Sequence, residues 1–423
     1  MRFIRNHLIE YQLIILVLYL VAMCFTSSMK IILPIYIVFS SLPFCSGVKK
    51  LERIPFIVFS ISAVYVIFGL LFQDKTETLV SFLSKTYQFI IFMMVLSYMK
   101  NHEVEVYKNG KKLMWSALVV ESILGAYLLT QSTLIGDNGL TRITAGRQPV
   151  GGNFAIVIVP ILVYSYFRYN QLRGKLVALS LATGLWVFLS GTRGYMLLYF
   201  LALFPMYMDY FFSMEKKNRY KTAISVLLLI GIALFVVVNT NIWDTLSVML
   251  RLASGTGIRG SENKIAMEFF SNTSIQYKVF GIGYGGRPAD APGYLTAVSN
   301  NVSGSWSYAN YANRIGVSFH NLFSNFILLQ GIIGILEVVF IFVWGLGKIR
   351  SIASETINER RCIYLYWIGF FIMNCFRWSC DCGIAEMIVL ALVIGMMNSK
   401  QIDNADFSSV IITESENDKD EEQ

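Results

Sequence analysis

The sequence predicts an all-α polytopic membrane protein with about twelve transmembrane helices and one long extracytoplasmic loop between spans nine and ten. Three observations carry this expectation. The chain of 423 residues is 55% hydrophobic and only 15% charged, a balance foreign to soluble domains. Apolar segments of about 20 residues, the length that crosses a hydrocarbon core, recur from residue 8 almost to residue 397. Finally, LVALSLATGLWVFLS and AISVLLLIGIALFVVV are apolar on every side, whereas the strands of a membrane barrel alternate polar and apolar residues.

Hydropathy places the spans at 8–28, 30–46, 54–72, 79–99, 113–133, 150–167, 176–192, 195–213, 222–239, 319–346, 362–379 and 383–397. The chain thus divides into nine spans over 1–239, an outer loop at 240–318, three spans over 319–397 and an acidic tail at 398–423. MRFIRNH before the first apolar run lacks a small-residue cleavage site, so it reads as a retained signal anchor. Cationic connections stay in the cytoplasm. With the N-terminus inside, the connections KKLER (49–53), 100–112, 168–175, 214–221 and 348–361, together with both termini, hold 22 of the 35 basic residues, against 12 outside. Both termini are therefore expected in the cytoplasm. The net charge of +8 follows from orientation and anionic lipid and requires no nucleic-acid partner. The tail, ending ITESENDKDEEQ, is expected to be disordered because dense like charge without apolar residues cannot build a core. No internal repeat is evident, and the long connection lies away from the midpoint, which disfavours a two-halves transporter.

Six cysteines show no metal-ligand spacing, and Cys380-Asp381-Cys382 is too short for a zinc site. No metal and no cofactor is expected.

The chemistry-bearing residues gather on the predicted outer face. Arg142 and Arg147 follow span five, and Arg193 stands in the minimal turn between spans seven and eight. Arg259, Arg287 and Arg314 punctuate the outer loop, with His320 and Asn321 at its end. A lone interfacial arginine is usually a snorkelling anchor. Several on one face suit a lipid-linked phosphate or diphosphate, because guanidinium grips phosphate with paired hydrogen bonds and keeps its charge. His320 is the only histidine on this face; His7 and His102 lie in cytoplasmic segments. If Ser318 caps span ten, His320 occupies the first helical turn, where the dipole disfavours imidazolium and leaves a neutral general base. The GIGYGG glycines follow no parallel-sheet pattern, so they are expected to form turns. NKIAMEFF has the spacing of a short helix on the membrane surface or capping the bundle. The aromatics of SGSWSYANYANR suit either a sugar surface or an interfacial belt. Lys85, Glu121 and Glu337 fall inside spans and should face inward, with a Lys85 to Glu121 pair as the structural reading. Gly331 and Gly334 are expected to permit close helix packing.

The ordered set SGTRGYML, an outer-loop Arg before an amphipathic helix, FGIGYGG, and HN opening a span with Gly eleven residues after the His resembles the O-antigen polymerase and O-antigen ligase superfamily of Wzy-type bacterial polysaccharide polymerases. The likeness runs from about Arg142 to Gly334. One departure is Leu328, where the ligase pattern often has Gly. The resemblance implies a metal-independent glycosyltransferase, GT-C-like in fold and localised to the bacterial cytoplasmic (inner) membrane, whose donor and acceptor are polyprenyl-diphosphate-linked glycans in the membrane lipid, with a chain-length regulator protein as a candidate partner. It implies that Arg193 and Arg259 hold the diphosphate and that His320 takes or orients the acceptor proton. Arg142, Arg147, Asn321, Arg287 and Arg314 would be substrate contacts. The alternatives are a ligase that sends the same donor to lipid A core and, further off, a flippase for lipid-linked oligosaccharide.

Overall fold

A computed structural model describes positions 11, 14, 15, 18, 35, 36 and 38–100, 133–137, 140–145, 148–149, 152–189, 193–221, 258–302, 308–313, 319, 321–352, 357–376 and 384–398. The expected span at 113–133 apart from Thr133, the one at 222–239, most of the first two, and the tail after Asn398 lie outside the described residues.

Almost all described residues are helical. After a 3-10 helix at Leu42–Lys50 come α1 (Arg53–Phe72), α2 (Lys75–Lys85) and α3 (Tyr87–Met99), then α4 (Gly152–Arg168), α5 (Arg173–Leu189) and α6 (Arg193–Ser213). The outer-loop region supplies α7 (Ile258–Asn272), α8 (Ile275–Phe280), α9 (Tyr294–Asn301) and α10 (Tyr308–Ala312), and the chain ends on α11 (Leu322–Arg350), α12 (Ile357–Phe376) and α13 (Ile384–Asn398). The exception is an antiparallel meander, β1 (Thr133–Asp137), β2 (Leu140–Ala145) and β3 (Gln148–Pro149), in the order β1-β2-β3. This backbone places Arg142 opposite Ile135, in a segment that the all-helical expectation did not foresee.

Three described helices are long and apolar enough to cross a membrane, Arg53–Phe72, Tyr195–Ser213 and Leu322–Arg350, or four if the pair α2 and α3, bent by 53°, forms one span. The bend divides the span expected at 79–99. Its second half, α3, is buried on every side from Gln88 to Met99, packed against α13 and the 3-10 helix. The span expected at 30–46 ends differently, since residues from Leu42 onward are 3-10. Helix α13 has only 15 residues, about 22 Å at 1.5 Å per residue, and falls short of the roughly 30 Å hydrocarbon core.

The outward surfaces fit a lipid surround. On α11, Ile332, Leu336, Val339 and Val343 are exposed at helical spacing, and on α1 so are Val64, Ile67, Phe68 and Leu71. In water such stripes would be an association liability; in lipid they cost nothing.

One end of the bundle collects charge. Glu52 is ion-paired with Lys348 and lies 3.7 Å from Lys100, and Arg168 lies 3.3 Å from Glu359. Arg173 reaches Asp209 at 3.9 Å, and the Tyr166 hydroxyl and the Asn358 amide each donate to Asp209 at 3.0 Å. Four connections grouped from the charge pattern, around residues 49–53, 100, 168–175 and 348–361, thus contribute side chains to this end.

Candidate functional site

The opposite end carries a helical cap with its own apolar core. Helix α7 buries Ile265, Ala266 and Phe269, α9 buries Tyr294, Ala297 and Val298, and these share one apolar cluster with Phe319, Ile327 and Leu328 around the start of α11. Burying each of the larger apolar side chains here contributes about 1.5–3 kcal/mol, enough to seat a short helix that would not persist alone. NKIAMEFF is therefore a cap on the bundle. Glu268 fastens α7 to α9 by accepting from Asn300 Nδ2 at 2.6 Å and from Asn301 Nδ2.

The cap grips α11 where that helix breaks. Gly331 has φ 62° and ψ −139°, so the helix is two halves, and the last carbonyls of the first half lose their helical donors. FGIGYGG supplies replacements: Ile282 N donates to Leu328 O at 2.7 Å and Gly283 N to Leu329 O at 2.9 Å. The approach requires glycine. A Cβ on Gly281 (φ 69°) would strike the Leu329 and Gln330 backbone, and one on Gly331 would strike Lys278 and Val279. The expectation that Gly331 serves helix packing is replaced by this backbone crossing. Gly334 does allow close packing, for a Cβ there would lie 2.7 Å from Phe326 O across the kink. The loop is also tied to α1 and α2: Gln73 Nε2 donates to Ile282 O at 2.7 Å, Gly285 N to Gln73 Oε1 at 3.0 Å and Asp74 N to Gly285 O at 3.3 Å.

Asn321 caps α11, its Oδ1 accepting from Ser324 N at 2.7 Å. The helix starts at Leu322, so position 320 precedes the cap and is not in the first turn, where a Ser318 cap would have put it. The dipole argument for a neutral imidazole loses that geometry. Asn325 braces the entry, accepting from Phe319 N at 2.9 Å and donating through Nδ2 to Phe319 O at 2.8 Å and Asn321 O at 2.7 Å. Among the described residues Asn321 Nδ2 is buried with no hydrogen-bond partner, a donor left over next in sequence to position 320. Unsatisfied buried donors cost about 1–3 kcal/mol.

Two sequence-predicted neighbourhoods meet here. Ser324 Oγ donates to Asn263 Oδ1 at 2.7 Å; Ser324 is four residues after position 320 in sequence, and Asn263 is one helical turn after Arg259 within α7. Arg193 opens α6 at the end remote from Asp209, hence on the cap side, without a described contact to α7 or α11. For Arg142, Arg193 and Arg259 the backbone alone is described, and Arg147, Arg314 and His320 lie outside the described residues, as does Glu121 of the Lys85 pair. Arg287 is exposed at the start of the Pro288–Asp290 turn. In the aromatic segment, Tyr308 is exposed, whereas Tyr311 is buried edge-on against Phe319 and belongs to the core.

Sequence reasoning passed over Ser261 and Glu262, which are 2% and 0% exposed in the turn of α7 after Arg259. The signal was an acid three residues from an outer-loop arginine. Among the described residues no group of His, Cys, Asp and Glu is arranged to hold a metal ion. No protein-family model matches the chain, and no curated protein is detectably similar to it in sequence.

Proposed function

We propose that the chain is a polysaccharide repeat-unit polymerase of the bacterial cytoplasmic membrane, with twelve spans and both termini in the cytoplasm. It transfers a polyprenyl-diphosphate-linked glycan to a hydroxyl of another lipid-linked repeat unit, extending O-antigen, capsule or exopolysaccharide. The observation that supports this reading is the Ser324 to Asn263 bond, which draws the segment after His320 toward the segment after Arg259 at the mouth of a broken apolar helix. A lipid diphosphate at the interface and a sugar above it would meet both.

In this reading Arg259 and Arg193 bind the diphosphate and stabilise the charge that grows on it as the anomeric C–O bond breaks. His320 accepts the proton of the attacking hydroxyl, and the polyprenyl diphosphate leaves with the electron pair. Asn321 Nδ2 donates to a substrate oxygen, and Arg142, Arg147, Arg287 and Arg314 contact phosphate or glycan.

The test is deletion of the gene in its host, with gel and mass-spectrometric analysis of surface glycan after complementation by wild type or His320→Ala. Glycans stopped at one repeat unit and restored only by wild type are expected. Polymer retained on the lipid carrier would show a ligase, and an unchanged glycan would refute the reading.

A further inference from the structure

The charged end of the bundle encloses a cavity that the proposed transfer, at the opposite end, does not use. Its volume is about 320 Å3, within the range of about 300–1,000 Å3 typical of small-ligand sites. Four segments wall it: the turn before α1 and the last turns of α3, α11 and α13. These walls are packed together. Gly395 brings α13 onto α3, where a Cβ would strike Met99, and Asn398 Nδ2 donates to Lys348 O at 3.2 Å.

Lys50, Lys100 and Lys348 line this cavity against one acid, Glu52. The acid is already engaged through both oxygens: Oε1 pairs with Lys348 and lies 3.7 Å from Lys100, and Oε2 accepts from Trp344 Nε1 at 2.9 Å. One carboxylate cannot neutralise three ammonium groups, so the lining keeps an excess of two positive charges. Basic residues in a last helical turn are ordinarily explained by the dipole or by orientation, and Lys49 and Arg350 need no more than that. Lys50, Lys100 and Lys348 differ in converging on one hollow.

The excess charge stands at an apolar boundary. As α1 begins, Phe56 N donates to Glu52 O at 2.9 Å, and Phe56 is exposed, as is Val343 beside Trp344 on α11. Phe56 lies two turns before Val64 and continues the outward stripe of α1. An anion there meets ammonium groups on one side and lipid-facing side chains on the other, the setting of a phospholipid headgroup.

We propose that the cavity binds a phosphate ester, the headgroup of an anionic phospholipid, with Lys50, Lys100 and Lys348 around the phosphate. Glu52 and the Trp344 ring, 5.5 Å from Lys348 Nζ, hold Lys348 in place. The acyl chains lie along the exposed faces of α1 and α11.

The test is titration of the purified full chain in detergent with phosphatidylglycerol or phosphatidylcholine, read by native mass spectrometry and melting temperature. Phosphatidylglycerol should bind in preference and raise the melting temperature, because a ligand of the folded state stabilises it by mass action. Lys50→Gln with Lys100→Gln, both at exposed positions, should keep the fold and weaken that binding about 30-fold, at about fivefold for each lysine. Lys216→Gln with Lys217→Gln removes the same charge from exposed positions outside the cavity and should bind as wild type. Glycerol phosphate stabilising the chain through Lys50 and Lys100 would support the phosphate site and make its ligand a soluble ester. Equal weakening in both double variants would reduce the binding to general surface charge and overturn the proposal. So would the absence of any preference for phosphatidylglycerol together with no effect of glycerol phosphate.

Discussion

Ser324 and Asn263 are 61 positions apart in sequence, yet the Ser324 hydroxyl donates to the Asn263 amide oxygen at 2.7 Å. The bond joins the first turn of α11 to α7 and registers the cap on the bundle. A double-mutant cycle with Ser324→Ala and Asn263→Ala should show positive coupling of about 0.5–1.5 kcal/mol in thermal or denaturant unfolding. Strict additivity would mean that the two helices do not meet there.

Asn321 separates capping from binding. Asn321→Asp keeps the oxygen that accepts from Ser324 N and should melt close to wild type, whereas Asn321→Ala should lose about 1 kcal/mol. Both remove Nδ2, so polymer formation should fall in both. Full polymer from Asn321→Asp would remove Nδ2 from the substrate contacts.

Gly281 and Gly331 cross at backbone distance with φ of 69° and 62°. Gly281→Ala and Gly331→Ala should each destabilise by more than about 1 kcal/mol, because the left-handed conformation and the clash add. Gly347, whose Cβ would meet nothing within 4 Å, is the control, and its change to Ala should be tolerated. The readout is the melting temperature of the purified chain.

Arg259→Lys keeps the charge but loses the paired hydrogen bonds of guanidinium. Polymer should drop sharply in Arg259→Lys and be abolished in Arg259→Ala, with insertion unchanged. Wild-type polymer from Arg259→Lys would reduce the role of Arg259 to charge alone.

At the other end, burial opposes ionisation of Glu52, but hydrogen bonds from Lys348 and Trp344 and the charges of Lys348 and Lys100 outweigh it and hold the carboxyl below the usual carboxylate range. A folded value below the unfolded one contributes stability that is present above the unfolded value and lost as pH falls through the folded one. Glu52 is 36% exposed, so solvent screening keeps the effect below about 1 kcal/mol. Wild type should therefore lose its margin over Glu52→Gln below the usual carboxylate range. An unchanged margin in acid would show that the pair is not formed.

Periodicity and composition reached the helices because their causes are local. Long apolar runs name α1, α6 and α11, and the spacing in NKIAMEFF names α7. The break at Gly331 is not local: FGIGYGG lays its amides on the carbonyls of Leu328 and Leu329, a pairing between segments some 46 residues apart, and no window of sequence contains both partners.

The candidate site divides in the same way. Sequence alone determined which residue types could do phosphate and proton chemistry and that they cluster along the chain between Arg142 and Asn321. Tertiary structure decided that α7 folds over the start of α11, that Asn321 and not Ser318 caps it, and that Glu262, three residues after Arg259 in sequence, is buried. Hydropathy is a property of each residue, whereas a cap, a helix break and a buried hydrogen-bond network exist only when distant segments are packed together.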